Sequence, residues 1–316
     1  MQRRPAEPAD GPAGTGVPAG APAAARITQQ VIASFAGCPD PRLGDVMESL
    51  VRHLHAFITE VDLTEHEWAT AIATLTATGL ITDDKRQEFI LWSDTLGVSS
   101  LVDVLAHPAP TGATESTVLG PFYVPDAPLR EYGATIAEQE AGTPAWVHGR
   151  VLDLDGRPIA GAEVDVWQNG DNQLYAVQDD NAPDEHLRGR FLTDAAGRYA
   201  FLAVRPVPYQ IPADGPVGRM LAASARHNWR PAHIHLVVRA PGFQTLTTHV
   251  FDAESDHLDD DAVFAVKPSL IGHFARRTAD DPHRPTGVQS DWVDMELDVV
   301  LTPGEGDTPA DPGRTH

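Results

Sequence analysis

The apolar positions of this chain change period along its length. From about Ile27 to Leu105 they recur at three- and four-residue spacings: Val46, Leu50, Leu54, Phe57, Ile58 and Val61 form one stripe, and Trp68, Ile72 and Leu75 repeat it. That is the period of amphipathic helices. Thr64-Glu65-His66-Glu67 has the form of a capping box, with Thr64 as N-cap and Glu67 three residues on. Thr82-Asp83-Asp84 predicts the start of a further helix, running through Phe89, Ile90 and Trp92 and ending near Gly97. From Ala145 onward the period falls to two, in WVHGRVLDLDG, PIAGAEVDVWQ, GRFLTDAAGRYAFLAV, PAHIHLVVRAPGF and QTLTTHVFD. Such alternation belongs to strands, and Asp155-Gly156, Ala196-Gly197 and Pro241-Gly242 mark turns between them. The pattern predicts a mainly β fold, an antiparallel β-sandwich preceded by a helical N-terminal domain.

Outside these blocks the pattern lapses. Residues 1–25 are Ala, Pro and Gly with few large apolar side chains, too little to offset the entropy of ordering them, and they predict a disordered tail. The helical domain then covers 26–107. Residues 108–144, around TGATESTVLGPFYVPDAP, form a Pro- and Gly-rich linker, and an irregular loop of that length in a compact protein is often functional. The sandwich covers 145–303, and 304–316 reads as a second loose tail. No internal repeat is visible.

Composition then removes several functions. A formal net charge of −22 leaves no basic stripe to neutralise phosphates, which argues against a nucleic-acid partner. No apolar run approaches the length of a membrane span, and the first residues lack the apolar core of a secretory signal; both predict a cytoplasmic protein that stays off membranes. Cys38 is the only cysteine, so intrachain disulfides and thiolate clusters are excluded. Any metal site must use nitrogen and oxygen ligands.

One strand offers such ligands. In RPAHIHLVV, His233 and His235 lie two apart, so on a strand both imidazoles face the same way. A hydrogen-bonded pair of core histidines is the plainer alternative. Two of the five tyrosines sit in unusual contexts: Tyr175 follows a strand in WQNGDNQLYAVQ, and Tyr209 is bracketed by prolines in RPVPYQIP. Singly, each reads as a half-buried aromatic with a hydrogen-bonded hydroxyl. Together with the histidines they make a hard, anionic N₂O₂ set that suits a ferric ion, whose charge in turn favours phenolate over phenol. A two-histidine, one-carboxylate site for Fe(II) is the main competing metal assignment.

These residues carry a resemblance. Gly149-Arg150-Val151, Pro158 to Ala162, Val166-Trp167-Gln168, Tyr175, Thr193-Asp194, Gly197-Arg198-Tyr199, Pro208-Tyr209 and Arg230-Pro231-Ala232-His233-Ile234-His235 occur in the order found in the intradiol ring-cleavage dioxygenases. From about Leu43 to Leu301 the chain resembles that family. The resemblance implies a helical N-terminal dimerisation domain, a linker, and a β-sandwich holding non-haem Fe(III) on Tyr175, Tyr209, His233 and His235, with Tyr209 and His235 axial. It also implies a homodimer formed through the N-terminal helices, with phospholipid held between them.

Within the family, TESTVLGPF from Thr114, LWSDTLGVSSLVD from Leu91 and THVFDAESDHLDDDAVFAVKPSLI from Thr248 look most like the branch that takes hydroxyquinol rather than catechol. His249 falls where the catechol enzymes usually have Gln, and Asp94 where they usually have an apolar residue or Pro. The resemblance therefore implies an aromatic triol as substrate, cleaved with O₂ to a ring-opened diacid, with catechol or its substituted forms as the alternative. Asp94 would accept a hydrogen bond from a third ring hydroxyl, unless it is an exposed helix carboxylate. Leu91, Val118, Leu119 and Gly120 would line the ring's edge. Arg230 would stabilise the anionic intermediate, unless it only pairs with a surface carboxylate, Tyr209 would take a proton as it leaves, and His249 would orient an oxygen or simply pack. A metal-free transthyretin-like binding module shares the short strands and is the competing reading from another class. A serine hydrolase is disfavoured, since no Gly-x-Ser-x-Gly elbow occurs.

Overall fold

A computed structural model describes residues 21–83, 86–138 and 141–304. The two expected tails lie largely outside that range. Their inner ends do not read as loose: residues 21–25 already belong to a helix, and Gly304 N–H donates to the Gly242 carbonyl at 3.0 Å.

The chain divides into two compact units, residues 1–73 and 74–316. The first contains α1 (Ala21–Ala33), α2 (Pro41–Glu60) and the start of α3 (Glu65–Ile81). Pro41 at the first turn and Asp40 as N-cap start α2, the Asp40 carboxylate accepting from Arg42 and Leu43 N–H at 2.9 and 3.3 Å. The capping box forms at α3: Thr64 N–H donates to Glu67 Oε2 at 2.9 Å and Glu67 N–H to Thr64 Oγ1 at 3.2 Å. The stripe on α2 is exposed, with Leu50 and Leu54 at 53% and 49%.

The second unit starts inside α3, earlier than the boundary at 107 that the change of period implies. The reason is packing: α4 (Glu88–Thr95) and α5 (Val98–Ala106), though helical, are bonded to the sandwich unit. Glu88 Oε1 accepts the Val217 N–H at 3.0 Å at the start of α6 (Pro216–Ala223), and Ser100 Oγ donates to the Val263 carbonyl at 3.0 Å. The helix expected after Thr82 begins later, at Glu88, because Asp83 spends its carboxylate on the Arg86 N–H at 2.7 Å and closes a turn there. Gly97, at φ 71°, separates α4 from α5.

The strands are β1 (Pro144–Leu152), β2 (Glu163–Trp167), β3 (Arg188–Leu192), β4 (Arg198–Val204), β5 (Tyr209–Gln210), β6 (Trp229–Arg230), β7 (His233–Arg239), β8 (Leu246–Asp252), β9 (Ile271–Gly272), β10 (Ala275–Arg277), β11 (Trp292–Glu296) and β12 (Val299–Val300). One sheet is built on β1, which pairs β4 on one side and β11 and then β12 on the other, with β10 outside β11. The second runs β3-β2-β7-β8-β9, and β5 pairs β6. Most pairings are antiparallel, as expected, but the sandwich is mixed: β1 runs parallel to β11 and β12, and β8 to β9. Those strands return over long connections, so no hairpin imposes the antiparallel sense. Gly156, Gly197 and Gly242 all take φ between 73° and 84° in the expected turns.

Between the sheets lies a core that includes Val147, Val164, Val166, Phe201, Ile234 and Leu236. The linker has little regular structure, as its composition predicts, yet it is tied to both sheets. Thr117 N–H donates to the Thr247 carbonyl, Arg130 N–H donates to the Arg190 carbonyl while Arg190 N–H donates to that of Pro128, and Gly133 N–H donates to the Ala200 carbonyl. No single helix among the described residues is long and apolar enough to cross a membrane.

Candidate active site

β7 is buried on both faces. Ile234, Leu236 and Val238 point into the core between the sheets, so His233, His235 and Val237 point outward. That outer face is covered by α4, α6 and the linker: Leu91, Val118, Phe122, Ile211 and Val217 pack there with Trp167, Tyr175 and Tyr209. The candidate residues thus lie under a lid on the far side of the second sheet and not within the sandwich.

Register brings the pieces in. His235 lies between Trp167 on β2 and His249 on β8, and the Trp167 indole stacks on the His235 ring at 4.6 Å and 13°. Tyr175 enters on the loop after β2, where Gln178 Oε1 accepts its N–H at 3.1 Å. Tyr209 opens β5 directly opposite Arg230 on β6.

The polar atoms converge. Tyr175 Oη lies 3.0 Å from His235 Nε2 and 3.4 Å from His233 Nε2, and the two Nε2 atoms are 3.1 Å apart. Arg230 Nη1 donates to Tyr209 Oη at 3.2 Å and lies 3.2 Å from His233 Nε2. The Tyr209 hydroxyl also faces that of Tyr175. Ligands each about 2.1 Å from one transition-metal ion sit about 3 Å from their neighbours, so these donors are already spaced for one.

Their protonation suits the same role. His233 Nδ1 lies 2.7 Å from the Pro231 carbonyl, which fixes the proton there and turns the Nε2 lone pair inward. Burial holds His233, His235 and His249 well below the usual histidine range, leaving three neutral imidazoles. Burial also drives the Tyr175 phenol well above the usual tyrosine range, with Tyr209 adding to the effect and Arg230 opposing it. A bound cation would offset the cost of ionising it, and phenols packed among neutral imidazoles form a donor set for one. His235 Nδ1 and both His249 nitrogens are buried without a well-formed hydrogen bond, although the Val118 backbone lies beside His249. The donor atoms of His233, His235 and His249 fall within 4.8 Å of one another, and no carboxylate joins them among the described residues. A two-histidine, one-carboxylate site therefore has no third ligand here.

Arg230 is 3% exposed, and its partner is Asp261, 2% exposed, at 3.2 Å, not a surface carboxylate. Asp94 is buried on α4 and is not the exposed helix carboxylate of the plainer reading. Burial raises its carboxyl above the usual range, while a hydrogen bond with Ser99 and the charge of Arg230 pull the other way. Leu91, Val118 and Leu119 join the apolar cluster of the site, and Gly120 takes φ 76° with its backbone against the His235 ring.

Sequence reasoning missed several supports. Trp167, stacked on His235, reads in sequence as a strand residue, and only register shows its place. Phe122, stacked on Tyr175 at 4.5 Å and 24°, lies in the irregular linker. Asp261 closes a run of three aspartates that looks like a solvated face. A second histidine cluster lies apart: His227 and His257 both bond Asp260, at 2.9 and 3.0 Å. There Trp229 N–H donates to His227 Nδ1 at 3.1 Å, which puts the ring proton on Nε2 facing Asp260 and removes that lone pair from metal binding.

Comparison with known proteins agrees with this architecture. A family model described as Dioxygenase matches residues 118–303, and one described as Catechol dioxygenase N terminus matches residues 40–114. The chain belongs to the intradiol ring-cleavage dioxygenases, a family of oxidoreductases. Within the family it is similar to hydroxyquinol 1,2-dioxygenase of Rhodococcus opacus, 49% identical over 88% of this chain and 93% of that protein. It is also similar to the crystal structure of hydroxyquinol 1,2-dioxygenase from Pseudomonas putida, with a TM-score of 0.85 at 48% identity, covering 90% of this chain and 100% of that one. Catechol 1,2-dioxygenase from Pseudomonas arvilla is more distant, with a TM-score of 0.76 at 28% identity over 92% and 94% of the two chains.

Proposed function

We propose that this enzyme cleaves hydroxyquinol (1,2,4-trihydroxybenzene) between its adjacent hydroxyls, using non-haem Fe(III) and O₂ and giving 3-hydroxy-cis,cis-muconate or its maleylacetate tautomer. The observation that carries it is the convergence of Tyr175 Oη, His233 Nε2 and His235 Nε2 within 3.4 Å of one another beside Tyr209 and a buried Arg230. Relatives named for hydroxyquinol, at 46–49% identity, support the substrate, as does a buried carboxylate, Asp94, close enough to feel the charge of Arg230.

Tyr175, Tyr209, His233 and His235 would hold the iron. When bound, ferric iron supplies Lewis acidity and accepts electron density from the deprotonated ring, which makes a ring carbon reactive toward O₂. The chain does the rest. Tyr209 Oη takes up a hydroxyl proton from the entering substrate. Arg230, its charge held in place by Asp261, faces the anionic ring in a dry pocket where that charge is little screened. Asp94 accepts a hydrogen bond from the third hydroxyl, and Leu91, Val118, Leu119 and Gly120 fix the ring's edge. His249, unpaired and stacked on His233 at 4.8 Å, is placed to orient an oxygen. The exposed stripe on α2 is the surface through which two chains would pair, with phospholipid between the helices.

The test is oxygen uptake with hydroxyquinol and catechol in parallel on iron-replete protein, with iron content and visible spectrum recorded. Uptake with hydroxyquinol well above catechol, by a protein that carries iron and absorbs in the visible through phenolate-to-iron charge transfer, is expected. Iron-free, colourless protein, as a metal-free binding module would be, overturns the reading. Catechol turning over faster overturns the substrate assignment alone.

A further inference from the structure

Arg188 is a buried cation without an ion-pair partner among the described residues. It opens β3 opposite Trp167 on β2, and its side chain is 4% exposed. Among the described residues no carboxylate lies within ion-pair distance of it, and its hydrogen bond runs from Nη2 to a backbone carbonyl, that of Phe122. A buried charge left without an ion-pair partner is strongly unfavourable. Burial accordingly pulls its guanidinium below the usual arginine range, against the more distant charges of Asp165 and Asp184. Packing alone would favour an apolar residue here.

The carbonyl it holds carries the reason. Phe122 stacks on the ring of Tyr175, and Gly120, two residues back, lies against the His235 ring, where an added Cβ would stand 3.3 Å from Cε1. Tyr123, one residue on, packs on Trp167 at 4.9 Å. One guanidinium thus grips the short segment that sheathes two of the ligand candidates, and its charge is coupled to the Tyr175 phenol across the Phe122 ring. That charge is also among the influences, after burial, that lower His235.

We propose that Arg188 is a positioning residue that sets the electronic environment of Tyr175, holding Phe122 on the phenol face while its unpaired charge stabilises electron density on the phenolate oxygen. This rests on Tyr175 as an iron ligand. A positive charge near the donor ring deepens the phenolate level, so more energy is needed to move an electron from it to ferric iron. The visible band therefore lies at shorter wavelength than it would without Arg188.

Three substitutions separate charge from hydrogen bond. Arg188→Gln keeps a donor for the Phe122 carbonyl and drops the charge; Arg188→Met drops both; Arg188→Lys keeps both in a less rigid form. The readouts are the visible maximum of iron-loaded protein and the melting temperature of the metal-free protein. The Gln and Met variants are expected to absorb at longer wavelength by on the order of 10 nm or more, with the Lys variant near wild type. Met tests folding as well, since removing an unpaired buried charge leaves the metal-free protein close to wild type in stability. An unchanged maximum in Gln and Met, or a Lys variant shifted as far as they are, overturns the proposal and leaves the reading of the site standing. A wild-type protein with no visible band at all overturns the reading of Tyr175 itself, and this proposal with it.

Discussion

A carboxylate under a lid is a recognition element only if the substrate carries a group to match it. Asp94 is 5% exposed and feels the charge of Arg230, so a third ring hydroxyl would give it a charge-assisted partner inside the site. Such a bond is worth about 1.5–3 kcal/mol, and Asp94→Ala should therefore lower kcat/KM for hydroxyquinol about 10- to 100-fold while catechol changes little. Equal losses on both substrates would remove the recognition role. A second buried carboxylate gives a prediction in pH. Burial pushes Asp165 up to about 6, against the pull of Arg239 and a hydrogen bond from Tyr123. Its unfolded value is about 3.9, so the folded protein binds the extra proton between about pH 4 and 6. Stability from this group is present below that window and lost as pH rises through about 6, by up to about 3 kcal/mol. Asp165→Asn removes that slope, so the variant should gain on wild type between pH 4.5 and 7 in urea unfolding, and a constant difference would contradict the assignment. The candidate metal ligands were legible in sequence because alternation on a strand puts His233 and His235 on one face, and the resemblance supplied Tyr175 and Tyr209. Trp167, Asp261 and Arg188 were not, since each acts across a register or a turn that no local pattern encodes.

Elements decide which face of the sheet becomes a site. β7 alternates as the sequence predicts, yet its outer face is as dry as its inner one because α4, α6 and the linker close over it. Periodicity gives the strand and its two faces; it does not tell which non-local segment covers the second. For the same reason the parallel pairing of β1 with β11 and β12 was not legible: their partners are far apart in sequence. The pairing leaves a mark at Gly149, whose backbone stands where the β11–β12 turn crosses β1. A Cβ there would meet the Leu297 carbonyl oxygen at 1.9 Å, and Leu297 N–H and Asp298 Oδ1 bond the backbone of His148 and Arg150 on either side at 2.8 Å. Backbone cannot yield there without breaking both bonds. Gly149→Ala is expected to destabilise by about 3 kcal/mol or more, read as insoluble protein or a melting temperature at least several degrees lower. A variant as stable as wild type would mean that the turn is not locked on β1.

At the scale of the molecule, chemistry and assembly separate. All the residues assigned to the site fall between Leu91 and Asp261, inside the second compact unit, while the largest run of exposed apolar side chains is on α2 in the first. Val46, Leu50, Leu54, Phe57 and Val61 are each 42–53% exposed on one stripe. Monomers rarely leave a contiguous apolar surface of this kind uncovered, and a chain carrying −22 charges gains nothing from exposing it. A second copy of the chain would cover it most simply, since the same stripe on both helices would make a self-complementary, two-fold contact. Replacing Leu50 and Leu54 together by Glu should therefore halve the mass found by light scattering. Because the site lies in the other unit, the visible absorption per iron should be unchanged in the monomer. Loss of the band along with the dimer would show that pairing shapes the site, and a wild-type protein that is already monomeric would show that the stripe has another use.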